Sequence, residues 1–65
     1  MKQITLQDLT PLELKELKFC VESLELYTAE ELQFIYDNLY RGEDGLVYYY
    51  IVDKANKLLT ALYTD

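Results

Sequence analysis

The sequence predicts an all-α fold: a small three-helix bundle with helices near 11–26, 29–41 and 45–63, its core completed by self-association. Three observations lead there. Two Thr-x-x-Glu capping boxes open apolar-periodic segments at Thr10 and Thr28. An apolar stripe then continues at helical spacing from Val47 to Leu62. Finally, the chain has 65 residues, one cysteine and no histidine, so neither an intrachain disulfide nor a histidine or multi-cysteine zinc site can staple it. A domain of this size buries only about 60% of the surface its unfolded chain exposes, which makes a second copy or a partner a natural source of further burial. The chain is read as one domain, 1–65, with 1–9 an N-terminal arm.

The first helix starts at DLTPLELKEL. Thr10 is the N-cap, Pro11 stands at N1 where its missing N–H costs nothing, and Glu13 at N3 closes the box. Leu9 and Leu14 are placed as a hydrophobic staple. Leu14, Leu17, Cys20, Val21 and Leu24 then form one face, so Cys20 is expected to be a buried, inert thiol. The second helix repeats the grammar in YTAEEL, with Thr28 as N-cap, Glu31 at N3 and Tyr27 with Leu32 as the staple. Its core face is Leu32, Ile35, Tyr36 and Leu39, and Gly42 is placed as its C′ residue. Gly42-Glu43-Asp44-Gly45 is a short turn.

The segment GLVYYYIVDKANKLL is harder. By residue type Leu46 to Val52 suits a strand, for which Gln3 to Leu6 is the only other candidate partner. On a 3.6-residue period, however, Val47, Tyr48, Ile51, Val52, Ala55, Leu58, Leu59 and Leu62 keep one stripe without a phase break, and Asp44 is available as an N-cap. The helical reading is therefore adopted. At about 100° per residue it puts Tyr48 in the core and Tyr49 and Tyr50 on opposite outer sides.

Composition narrows the function. Apolar residues make up 51%, which fits a folded chain. Twelve carboxylates against six basic groups give a net charge of −6, which argues against direct nucleic-acid binding and against anionic membranes. No apolar run approaches the roughly 20 residues of a membrane span. The start MKQITLQDLT lacks the apolar core of a signal peptide, so a cytoplasmic location is expected.

Catalytic equipment is thin: Cys20 and Ser23 are the only cysteine and serine, and no histidine can act as general base. Glu30-Glu31 and Glu43-Asp44 sit where helix N-termini favour negative charge. A calcium loop starting at Asp37 fails, because Leu39, Arg41 and Tyr48 would occupy ligand positions. Two glycines are too few for a phosphate loop, and Arg41, Lys54 and Lys57 do not cluster as a DNA-reading face needs. No enzyme activity, cofactor or metal is expected.

The residues left over are apolar and aromatic. Leu12, Phe19 and Leu26 are spaced by sevens on the outer side of the first helix, either covered by Ile4 and Leu6 or free as an interface. Phe34 and Tyr40 lie off the second helix's core face, and Tyr49, Tyr50 and Tyr63 off the third's. Seven tyrosines exceed what so small a core can use, and tyrosine is favoured in protein interfaces. The expected function is a small acidic protein-interaction module, a regulator or inhibitor that binds another protein or a second copy through these eight residues. Two alternatives stand beside it. One is a homo-oligomeric structural accessory protein. The other is a nucleic-acid mimic that blocks a DNA-binding protein with Glu22, Glu25, Glu30, Glu31, Asp37, Glu43, Asp44 and Asp53.

Overall fold

Two helices start where their capping boxes place them, and the expected third helix is instead a β-hairpin. The computed structural model describes residues 1–63. In chain order these form β1 (Lys2–Ile4), a single 3-10 turn (Leu6–Asp8), α1 (Pro11–Glu22), α2 (Ala29–Asp37), β2 (Leu39–Arg41), β3 (Val47–Asp53) and β4 (Asn56–Leu62). The strands make one antiparallel sheet in the order β1-β2-β3-β4. The fold is therefore mixed α/β, and the all-α three-helix bundle is overturned by this sheet.

The helix starts behave as capping predicts. The Thr10 hydroxyl accepts from the Glu13 N–H at 3.1 Å while Glu13 accepts from the Thr10 N–H at 2.9 Å. Thr28 and Glu31 do the same at 3.2 and 2.8 Å. Each box satisfies two of the helix's orphan donors. At the 3-10 turn the Asp8 carboxylate accepts from the Thr5 N–H at 2.9 Å, while the Asp8 N–H donates to the Thr5 carbonyl at 3.0 Å.

The helix ends differ from expectation. α1 stops at Glu22 rather than 26, and Glu25 takes a left-handed conformation at φ 51°. Val21 is the last of its residues in the core, so Leu24 and Leu26 lie beyond the helix at 72% and 69% exposure. α2 stops at Asp37 rather than 41. The Asn38 amide donates to the Phe34 carbonyl, and the chain goes directly into β2. Gly42 is thus a loop residue and no helix C′.

The N-terminal arm is not free. Ile4 pairs with Leu39, Gln3 with Tyr40 and Lys2 with Arg41, and the Gln3 amide donates to the Asp37 carbonyl. Between β2 and β3, Gly42 and Leu46 close a three-residue turn, Glu43-Asp44-Gly45. The Gly42 N–H donates to the Leu46 carbonyl and the Gly45 N–H to the Gly42 carbonyl, with Gly45 at φ 83°. A left-handed third residue is the usual glycine-bulge hairpin closure. Asp44 caps this loop instead of a helix, accepting from the Leu46 N–H and the Tyr48 hydroxyl.

Strand alternation assigns the faces. Ile4, Leu39, Val47 and Leu62 point to one side and are buried, together with Leu17 and Val21 of α1 and Ile35 of α2. α1 lies across this face, tied to it by Arg41, whose guanidinium makes a forked pair with Glu13 at 3.0 and 3.1 Å. That pair and the Thr10 bonds hold the Glu13 carboxyl below the usual carboxylate range. α2 runs alongside β3 beyond the end of the short strand β2. Its Tyr36 hydroxyl donates to Glu22, and burial followed by that carboxylate raises the phenol. Cys20, expected in the core, is exposed beside Tyr49.

Candidate functional site

The three consecutive tyrosines separate by strand alternation. Tyr49 points toward α1, partly packed on the core, and burial with the adjacent Cys20 raises its phenol. Tyr48 and Tyr50 point to the opposite face of the sheet. Tyr40 joins them from β2, directly opposite Tyr48. Leu59 and Ala61 of β4 complete the surface, opposite Tyr50 and Tyr48 respectively. α1 lies on the other side of the sheet, and α2 borders this face at its Val52 end, where Phe34 packs against Tyr50; Tyr40, Tyr48 and Tyr50 are each part-exposed.

The aromatic rings are arranged as a row. The Tyr40 and Tyr50 centroids are 6.4 Å apart at 82°, an edge-to-face contact. Phe34 reaches round from α2 to within 5.5 Å of Tyr50. The Lys57 ammonium caps the end of the row, 4.4 Å from the Phe34 centroid. Such contacts fix the rings and limit the entropy a partner would have to remove. At the other end Tyr48 donates to Asp44, which raises the phenol and lowers the carboxyl; Tyr63 is close enough to add to the first effect. Tyr63 itself is 73% exposed.

Gly42 sets the position of Tyr48. A Cβ there would lie 2.6 Å from the Tyr48 ring and 2.6 Å from an Asp44 carboxylate oxygen, closer than van der Waals contact permits. A glycine at this point therefore lets the ring and the Asp44 side chain close over the hairpin loop.

Of the eight residues expected at an interface, Phe34, Tyr40, Tyr50 and Tyr63 come together on or beside this face. Tyr49 is on the opposite side of the sheet. Leu12 and Phe19 remain on the outer side of α1, exposed at 49% and 68%, so Ile4 and Leu6 do not cover Phe19. Leu26 no longer continues their line, because α1 has ended; it shares a hollow with Ile51 at the tip of the hairpin. Tyr48 was assigned to a core and belongs to the open face. The period-2 pattern of Tyr40 with Tyr48 and Tyr50 is the signal that would have found it.

Elsewhere the polar groups serve the fold. A hollow of about 560 Å³ beside β1 contains Asp8 and Arg41, both already engaged with Thr5 and Glu13. Among the described residues no group of three metal-ligating side chains converges. No helix of the described residues is long and apolar enough to cross a membrane. Comparison with protein-family models, curated proteins and solved structures finds no match, so the functional reading rests on this chain's own residues.

Proposed function

We propose that this protein is an interaction module, a small regulator or inhibitor that works by occupying the surface of another protein with its open tyrosine face. One observation carries the reading: the sheet face opposite α1 bears part-exposed Tyr40, Tyr48 and Tyr50, flanked by Phe34 of α2 and by Tyr63. Tyrosines offer apolar area and a hydroxyl at low entropic cost, which suits a contact surface better than a solvated one. The net charge of −6 favours a partner whose contact surface has an apolar centre and a basic rim.

Mimicry of nucleic acid draws less support. Glu22, Glu31 and Asp44, which it would need facing outward, accept hydrogen bonds from Tyr36, Thr28 and from Leu46 with Tyr48.

The test is affinity capture from the native host with wild-type protein, Tyr50→Asp and Phe19→Asp, each checked for unchanged circular dichroism. A protein retained by wild type and Phe19→Asp but lost by Tyr50→Asp supports the reading. Loss with Phe19→Asp alone moves the contact to α1, and retention of nucleic acid alone refutes it. Retention that collapses between low and physiological salt indicates mimicry, since an aromatic contact is screened far less.

A further inference from the structure

We infer that the outer edge of β4 pairs antiparallel with β4 of a second copy, across a two-fold axis at Thr60. The inference goes beyond the proposed function, because edge pairing widens the sheet sideways and leaves the tyrosine face open.

β4 is an edge strand seven residues long. Its partner β3 is joined to it by the two-residue turn Lys54-Ala55, with Asp53 opposite Asn56. In such a hairpin the closing pair is hydrogen-bonded, and bonded pairs then recur every second residue. Asn56, Leu58, Thr60 and Leu62 therefore face β3 with their backbone groups. The N–H and C=O groups of Lys57, Leu59 and Ala61 point outward, where no described strand meets them.

Edges of this length are ordinarily protected by charged side chains (lysine above all), proline, bulges or a covering element. Asn56–Leu62 has no proline, a continuous register with β3 and a single charge, Lys57. The other edge, β1, is only three residues long. The occupant follows from charge. Two copies of a chain at −6 repel each other. β4 carries no carboxylate, whereas α1, α2 and β3 all do, and β1, the other edge free of carboxylates, is less than half as long, so β4 is the long edge on which two copies meet with least repulsion.

Sequence also selects the register. An axis at Thr60 sets Leu58 against the second copy's Leu62, Leu59 against its Ala61 and Lys57 against its Tyr63. The two Lys57 residues are then six positions apart along the strands, roughly 20 Å. An axis at Leu58 would bring them within diagonal reach and leave Ala61 and Tyr63 unpaired, and an axis at Leu59 would set them only four positions apart, roughly 14 Å, and leave Tyr63 unpaired. With the axis at Thr60, the outward groups of Lys57, Leu59, Ala61 and Tyr63 all find partners.

Two measurements test this. Light scattering on the wild-type chain should read twice the single-chain mass, and Ala61→Pro should halve it. That proline removes only an outward N–H, which an edge strand tolerates, so the far-ultraviolet spectrum should be unchanged. In a Cys20→Ser background, Thr60→Cys should form an intermolecular disulfide under mild oxidation. The paired Thr60 residues form a non-hydrogen-bonded pair with Cα atoms about 4.5 Å apart, within disulfide range. Asn56→Cys, its copies eight positions or about 27 Å apart, should not. A wild-type chain that stays monomeric at high concentration overturns the proposal. So does a dimer that survives Ala61→Pro, or one in which Thr60→Cys crosslinks no better than Asn56→Cys. Should Ala61→Pro unfold, the crosslinking comparison decides. Loss of capture with Tyr50→Asp at unchanged mass concerns only the tyrosine face, so the two readings fail separately.

Discussion

Replacing Lys54 by glycine should stabilise this protein, and the sign of the effect separates a hairpin from a helix. Lys54 is the first of two turn residues between Asp53 and Asn56, exposed and held at φ 55°. The second, Ala55, is not left-handed, which is the pattern of a type II′ turn, where the first position favours glycine. A side chain with a Cβ in the left-handed region costs roughly 1–2 kcal/mol. Glycine avoids that cost but has more freedom to lose from the unfolded chain, about 0.5–1 kcal/mol. The net gain for Lys54→Gly is about 0.5–1 kcal/mol, a rise in Tm of roughly 2–8 °C for a domain of this size. In a helix spanning 45–63 the same change would remove about 1 kcal/mol. Thermal melts followed by circular dichroism, checked by urea titration, resolve the two. A fall in Tm refutes both the turn and the hairpin built on it.

Three further outcomes are expected. Thr10→Ala and Thr28→Ala should each lower stability by about 1 kcal/mol in denaturant titrations, the usual loss of a threonine N-cap. Gly42→Ala should cost about 1–2 kcal/mol, because the new Cβ displaces the Tyr48 ring and Asp44 and breaks the hydrogen bonds they share with each other and with Leu46; the phenol of Tyr48 should then titrate at lower pH by ultraviolet absorbance. Glu13 is held below its ordinary pKa by Arg41, so its contribution is complete above the unfolded carboxylate range and lost as pH falls through the lowered folded value. Glu13→Gln should cost about 1 kcal/mol at neutral pH and flatten the acid side of the stability–pH curve, measured by urea titration between neutral pH and acid.

Both helix starts were legible because N-caps are local: a threonine and a glutamate three residues on meet each other whatever the rest of the chain does. The ends were not, since α1 stops where its outer residues lose contact with the core and α2 stops where β2 must meet β1. The hairpin was hidden for two reasons. Its turn, Asp53-Lys54-Ala55-Asn56, has neither glycine nor proline, so nothing punctuates the sequence. Apolar residues also occur on both faces of β3 and β4, one toward α1 and one open, and such a double pattern can be threaded at a helical period just as well. The strand propensity of Leu46 to Val52 was the better guide, and its missing partner was β4, the rest of the same supposed helix. The same error placed Tyr48 in a core and left its grouping with Tyr40 and Tyr50 unseen. Tyr40, Tyr50 and Phe34 were singled out as residues off a helical core face, yet their proximity depends on a strand register that sequence periodicity did not supply.

The pairing of β1 with β2 has a kinetic consequence. Ile4 and Leu39 are neighbours in the sheet, yet α1 and α2 lie between them in the chain. The helices close over a few residues and the β3–β4 hairpin over a two-residue turn, so all three can form from local contacts. β1 must instead close a loop of more than thirty residues, whose entropy is lost before any ladder bond compensates it. On a ribosome β1, made before its partner, is therefore the last of these strands to dock, and Ile4 stays solvated until Leu39 has emerged. Mutations at Ile4 should speed unfolding and leave the refolding rate nearly unchanged, whereas changes in the β3–β4 hairpin should slow folding itself.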